Sequence, residues 1–177
     1  MKTMVIFLAI YFFIVIGAGT VVHILNSIGL VAIARKRNIP GATLAWIPFF
    51  GTAYVTGAIA DDHSSKETGI DRRLRIWLLW MSVMLFVLTT ALIVQMFPVD
   101  SGYSNMNSDP FYLLTLLLTL IIGMPFTVFW YVAHNKLYKS CQPQNATLFT
   151  VLSVFFGIAP FLVFAVRHYV DGREMKS

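Results

Sequence analysis

The sequence predicts an all-α polytopic membrane protein, and two observations carry that prediction. Hydrophobic residues make up 58% of the chain and charged ones only 12%, whereas a soluble domain carries about 25% charged residues. The apolar residues also run in unbroken blocks of span length, separated by short polar or basic stretches. A chain of 177 residues has room for one domain, and a soluble core of that size cannot hide so much apolar surface. The expected architecture is a single transmembrane domain over 1–177: three full spans, plus two Pro/Gly-broken hydrophobic elements on the cytoplasmic side. The second of these elements has a fourth span as its alternative.

Span one is Met4–Ala34. As a helix it is roughly 46 Å long at 1.5 Å per residue, more than a hydrocarbon core of about 30 Å, so it tilts or its last turns emerge. It differs from a secretory signal in being too long and in having its basic cluster, "RKR", after the apolar run instead of before it. Span two is Ile76–Phe97 and span three is Phe111–Tyr131. Between them lies "PVDSGYSNMNSDP", which holds no Lys or Arg and reads as an exposed outer loop. Pro125 should kink span three.

Two segments remain, 39–60 and 146–166. The distribution of the 13 basic residues decides between their topologies. If both cross, Arg35, Lys36, Arg37, Arg167, Arg173 and Lys176 face one side, and the remaining seven face the other. If neither crosses, Lys2 is the only basic residue outside, a split of twelve to one. If only the last crosses, the split is nine to four. The positive-inside rule favours the second arrangement, with the N-terminus outside and the C-terminus in the cytoplasm. Pro48 removes a backbone donor and Gly51 weakens helix just after it, so 39–60 should enter and return as a hairpin or an interfacial helix pair. Broken backbone at membrane depth survives only against protein or a wet cavity, so such a hairpin packs on the spans or stays shallow.

The two broken segments resemble each other. Each has a Pro, then "ATL" (Ala42–Leu44, Ala146–Leu148), then "FFG" (Phe49–Gly51, Phe155–Gly157), with a spacing that differs by two residues. Each follows a span and a basic stretch, as a parallel repeat of span plus re-entrant element would. The stretch "ARKRNIPGATLAWIPFFGTAYVTGAIADD" resembles a motif of small uncharacterised multi-span membrane proteins of Gram-positive bacteria: an Ile-Pro, then Leu-Ala-Trp-Ile-Pro, then an aliphatic hairpin. Trp46 and Pro48 lie in its most specific part. "NATLFTVLSVFFGIAPFLVFAVRH" looks like the closing element of the same proteins, so the resemblance covers both ends, about a third of the chain. It departs after Pro48, where the relatives often carry Asn or a hydroxyl residue and this chain has Phe50-Gly51-Thr52. It implies the plasma membrane of a bacterium and no particular activity.

Candidate sites are sparse. His23, Asn26 and Ser27 share one face of span one; polar groups at that depth are either a binding face for a proton or substrate, or a hydrogen-bonded packing face. Packing is the favoured reading. Thr115, Thr119, Gly123 and Thr127 recur every fourth residue on span three and read as a helix-packing stripe, with span one as an expected partner and a pore lining as the alternative. Trp77, Trp80 and Trp130 read as interfacial anchors. Arg35, Lys36, Arg37, Arg72, Arg73 and Arg75 read as contacts to anionic headgroups, worth on the order of 1 kcal/mol each. Asp61, Asp62, His63, Glu67 and Asp71 read as a solvated loop before they read as a metal site. His134 and Cys141 read as residues of a cytoplasmic loop.

No HExxH, GxSxG or P-loop is present, and Cys141, the lone cysteine, excludes an intrachain disulfide. The +5 net charge sits at span ends without aromatic interleaving, which argues against nucleic acid. The expected function is non-enzymatic: helix packing with a partner or with itself, as an accessory or immunity-type subunit, with no cofactor and no metal. The alternative is a small oligomeric transporter or channel. Expected partners are the bilayer with its anionic headgroups, and another membrane protein or a second copy.

Overall fold

The computed structural model describes residues 2–68, 73–96, 110–170 and 173–174. Three helices are long and apolar enough to cross a membrane: α1 (Lys2–Lys36), α3 (Leu74–Met96) and α4 (Pro110–Cys141). Each corresponds to an expected span. The largest difference is at α4, which runs through Pro125 and continues to Cys141. "AHNKLYKS" extends the helix because Ala133, Leu137 and Tyr138 keep its buried face apolar. His134 and Cys141 therefore lie on a helix and are buried, a correction to the loop reading.

The segment after α1 reverses twice. Asn38 (φ 56°) and Gly41 (φ 79°) take left-handed conformations, and a 3₁₀ turn, Ala42–Trp46, runs back along α1. Phe49 (φ 63°) makes the tip, and α2 (Phe50–Thr68) returns. The carbonyl of Trp46 reaches His23, roughly 20 Å back along α1 from Arg37 at 1.5 Å per residue. On the return, Asp62 of α2 meets Arg37 at the end of α1. From Gly51 to Asp61 every α2 residue except Tyr54 is buried, so α2 is the centre of the bundle. Small residues permit this: a Cβ on Gly57 would lie 2.5 Å from the Arg75 Cα, which shows how closely α2 and α3 pass. The stretch read as a charged loop from Asp61 onward is helical to Thr68, while Asp71 and Arg72 lie outside the described residues.

After α4, a 3₁₀ turn (Pro143–Asn145) leads into α5 (Ala146–Phe156). Gly157 (φ 64°) ends α5, and α6 (Ala159–Val166) follows with Pro160 in its first turn, where a missing N–H costs nothing. A short antiparallel pair, β1 (Tyr169–Val170) with β2 (Arg173–Glu174), follows.

The packing is reciprocal. α6, the returning limb of the second segment, packs on α1, and α2, the returning limb of the first, packs on α4. Lys36 at the end of α1 donates to the Arg167 carbonyl just past α6, and Lys136 near the end of α4 donates to Ser64 of α2. One continuous apolar core, with Leu30 and Ile33 of α1, Val55 and Ile59 of α2, Leu137 and Tyr138 of α4 and Val163 of α6, joins the two halves. The shared letters are not all structurally equivalent. "ATL" opens the ingoing limb in both cases, but the tip falls on Phe49 in one and on Gly157 in the other, at opposite ends of "FFG".

Candidate functional site

The broken backbone explains two of the three polar residues, His23, Asn26 and Ser27, that share one face of α1. A 3₁₀ helix continues by bonding the N–H of residue i+3 to the carbonyl of residue i. Residue i+3 from Ala45 is Pro48, which has no N–H, and the Phe50 N–H, four residues on from Trp46, goes to the Pro48 carbonyl. Side chains of α1 replace the missing donors. Ser27 Oγ donates to the Ala45 carbonyl at 2.8 Å, and His23 Nε2 donates to the Trp46 carbonyl at 3.1 Å. A carbonyl only accepts, so this network places the proton of a neutral His23 on Nε2. Ser27 Oγ also lies 3.4 Å from that nitrogen. His23, Ser27, Trp46 and Pro48 thus come together as a latch fastening the 42–48 limb to α1. Trp46 and Pro48 contribute backbone and shape, and the Trp46 side chain is exposed.

Asn26 does not take part in the latch hydrogen bonds. It is buried, and its Oδ1 has no hydrogen-bond partner among the described residues.

Two members of the Thr/Gly stripe of α4, Thr115 and Gly123, meet α3. Gln95 donates to Thr115 Oγ1 at 3.5 Å, and the Leu85 side chain lies 3.8 Å from a Cβ built on Gly123. The hydroxyls of Thr115, Thr119 and Thr127 donate to the carbonyls four residues earlier. They therefore add little polarity to a shallow recess of about 470 Å³ running from Thr119 to Val128. Trp77 and Trp80 are exposed.

The basic residues gather where α1, α4 and α6 end and α3 begins. Arg35 and Arg73 are exposed there and Lys36 and Arg75 half-buried. Arg37, read from the sequence as a headgroup contact, is a correction: its side chain is 1% exposed, paired to Asp62 at 3.1 Å and donating to the Ser140 carbonyl at 2.9 Å. Asp61 accepts the N–H groups of Leu74 and Arg75, both at 3.0 Å, and so caps the start of α3. Burial pushes the His63 imidazole below its ordinary value. Glu67 opposes that shift, while Arg37, Lys136 and Lys139 reinforce it. Among the described residues no three His, Cys, Asp or Glu side chains converge as a metal would need.

Sequence reasoning missed a ring ladder. Phe126, Trp130, His134 and Tyr138, spaced by four, stack along α4 with centroids 5.8, 4.6 and 6.0 Å apart, and Tyr138 meets Phe149 of α5 edge-on at 5.7 Å. Its period was visible. A span boundary at Tyr131 cuts it in two and puts Trp130 at the lipid interface, whereas Trp130 is half-buried against the core.

No family model, curated protein or solved structure matches this chain.

Proposed function

We propose that this protein is a non-enzymatic bacterial plasma-membrane module that acts by packing α1 against a partner helix, either of another membrane protein or of a second copy. The observation that carries the reading is the state of the first half of α1. From Ile10 to Val21 every residue is exposed, on all sides of the helix, while the second half is wrapped by the 3₁₀ turn and α6. Within the bare half, Gly17 and Gly19 have open space where a Cβ would stand. The two lie on nearly opposite faces of the helix, and on either face a glycine lets a second backbone approach closely, which is how helices associate in lipid.

In this reading the basic end of the bundle is cytoplasmic and the N-terminus is outside. Lys36, Arg37, Lys136 and Arg167 meet at one end, as the positive-inside rule requires. The two broken segments then enter from the cytoplasmic side and turn back inside the bilayer. The latch supplies the protein contact that non-helical backbone needs at that depth.

The test is a photo-crosslinking amino acid at Tyr11 or Phe13 in intact cells, with buried Leu30 as the control position. Protein adducts at the first two sites and none at Leu30 are expected; lipid adducts alone would refute the reading. A transporter is the second reading, favoured by the corresponding positions of the two broken segments. It requires a solute flux in proteoliposomes that a lesion of the latch abolishes while assembly persists.

A further inference from the structure

A cavity of about 250 Å³ opens at the basic end, between the turn after α1, the middle of α2 and the start of α3. Its wall includes Arg37, Asn38, Pro40, Asp61, Asp62 and Arg75. At ~30 Å³ per water it holds the equivalent of roughly eight waters, enough for a phosphate ester and part of the glycerol carrying it.

The charges in this wall are not equally available. Asp61 has both oxygens on the first N–H groups of α3. Asp62 accepts from Arg37 at 3.1 Å and from Lys66 at 3.0 Å. Both carboxylates are thus already held, Asp61 by the N–H groups that open α3 and Asp62 by two cations, which leaves neither open to a cation as occupant. Arg75 is different: its backbone N–H is used, but among the described residues nothing bonds its guanidinium. Gly57 holds the Arg75 backbone in close contact with α2, so the root of that side chain is fixed at the cavity. An arginine that lines a cavity, with no partner on its guanidinium among the described residues and with the cavity's carboxylates already hydrogen-bonded, is suited to take a phosphate. Ile39 and Pro40 give the cavity an apolar side, suited to the glycerol and the tops of acyl chains.

We propose that this cavity seats the phosphate of one anionic phospholipid from the cytoplasmic leaflet, with Arg75 as its anchor. The assignment to that leaflet rests on the topology given above. The binding chemistry, a phosphate ester on Arg75, does not.

The experiment is native mass spectrometry of the full-length protein released from nanodiscs of phosphatidylcholine containing a minority of phosphatidylglycerol. The wild type is expected to retain one phosphatidylglycerol in preference to phosphatidylcholine. Arg75→Gln should lower that retention roughly 10- to 100-fold, the worth of a charged hydrogen bond, and Arg75→Lys should lower it less. Arg73→Gln, at an exposed neighbour, should leave it unchanged. Equal losses in the Arg73 and Arg75 variants, or equal retention of both lipids by the wild type, would overturn the site. So would displacement of the lipid by inorganic phosphate alone, which would make the pocket a free-phosphate site. Thermal unfolding of each variant separates lost binding from lost fold. Labelling of Ser65→Cys, in a Cys141→Ser background, tests the leaflet separately: reaction from outside would refute the topology and leave the lipid result standing.

Discussion

Replacing Ser27 by Ala tests the latch directly. The substitution removes one hydroxyl from a fully buried position and leaves the carbonyl of Ala45, itself 0% exposed, without its donor. A buried polar group left unpaired costs about 1–3 kcal/mol. Side-chain hydrogen bonds measured inside membrane proteins average about 0.6 kcal/mol and reach about 1.7, which draws the expectation down to about 1–2 kcal/mol. That is roughly a 5- to 30-fold fall in the folding equilibrium. Reversible unfolding in mixed SDS and mild detergent, followed by tryptophan fluorescence, resolves a change of this size. The sharper test adds Pro48→Ala. Alanine there supplies an N–H at the i+3 position from Ala45, so the 3₁₀ turn can satisfy its own carbonyl. Alone, Pro48→Ala should cost about 0.4–1 kcal/mol through the looser unfolded chain. Combined with Ser27→Ala, the loss should fall short of the sum by about 0.5–1.5 kcal/mol, as coupled groups do. Strict additivity, or a Ser27→Ala cost below about 0.3 kcal/mol, would refute the claim that Ser27 stands in for the proline's missing donor.

Four further outcomes follow from the geometry and charge of other positions. Asn26→Leu replaces a buried amide whose Oδ1 has no partner with an apolar group of similar size, so stability in the same unfolding assay should hold or rise; a loss above about 1 kcal/mol would mean that Asn26 has a bonding role. Gly57→Ala drives a Cβ to 2.5 Å from the Arg75 Cα, which only a shift of α2 against α3 relieves, at about 1–3 kcal/mol. Gly17→Ala, with open space around it, should stabilise the helix by up to about 1 kcal/mol and, under the proposed function, weaken the partner crosslink. For His63, burial disfavours the charged form. Below its ordinary value of 6.5 the unfolded chain takes up a proton that the folded chain resists, so stability falls as pH falls from about 6.5 towards the lowered folded value. His63→Gln should flatten that part of a melting-temperature profile, and an unchanged slope would sink the assignment.

The extent to which this fold could be read in advance follows from which forces are local. Three spans announce themselves by length and apolarity, and Pro48 and Gly157 announce breaks through backbone chemistry alone. The far end of α4 did not, because a helix can leave the apolar pattern of a lipid-facing span and still be held by packing. His134 and Lys136 look like loop residues until α2 and α5 are placed beside them. Arg37 shows the same limit from the charge side. It closes "RKR" after an exposed Arg35 and a half-buried Lys36, yet it is the one turned into the bundle, where Asp62 and the Ser140 carbonyl await it. Nothing in three consecutive basic letters says which one faces inward. The polar face of α1 was half legible: i, i+3 and i+4 spacing grouped His23, Asn26 and Ser27, but only the path of the 42–48 limb separates the two that bond from the one that does not.

The reciprocal packing bears on why the chain tolerates backbone this irregular in its centre. In the proposed topology, a hairpin held only by its own helix could detach by opening one contact, and its unpaired carbonyls would then meet lipid at several kcal/mol each. Here the limb that enters is fastened to its own span, by Ser27 and His23 in one half and by the Asn135–Thr150 and Tyr138–Ser153 bonds in the other. The limb that returns is packed on the opposite span, where a Cβ on Gly29 would stand 2.9 Å from the α6 backbone and Lys136 bonds Ser64. Releasing either hairpin therefore means separating both halves of the bundle. The two broken segments are thus stabilised by the same cooperative unit, and a lesion in one should loosen the other. α3 lies outside this exchange: it caps on Asp61 and packs on α2 and α4, so it adds a wall without adding a third hairpin. The first half of α1 lies outside it as well, exposed from Ile10 to Val21, and under the proposed function it is the stretch a partner covers.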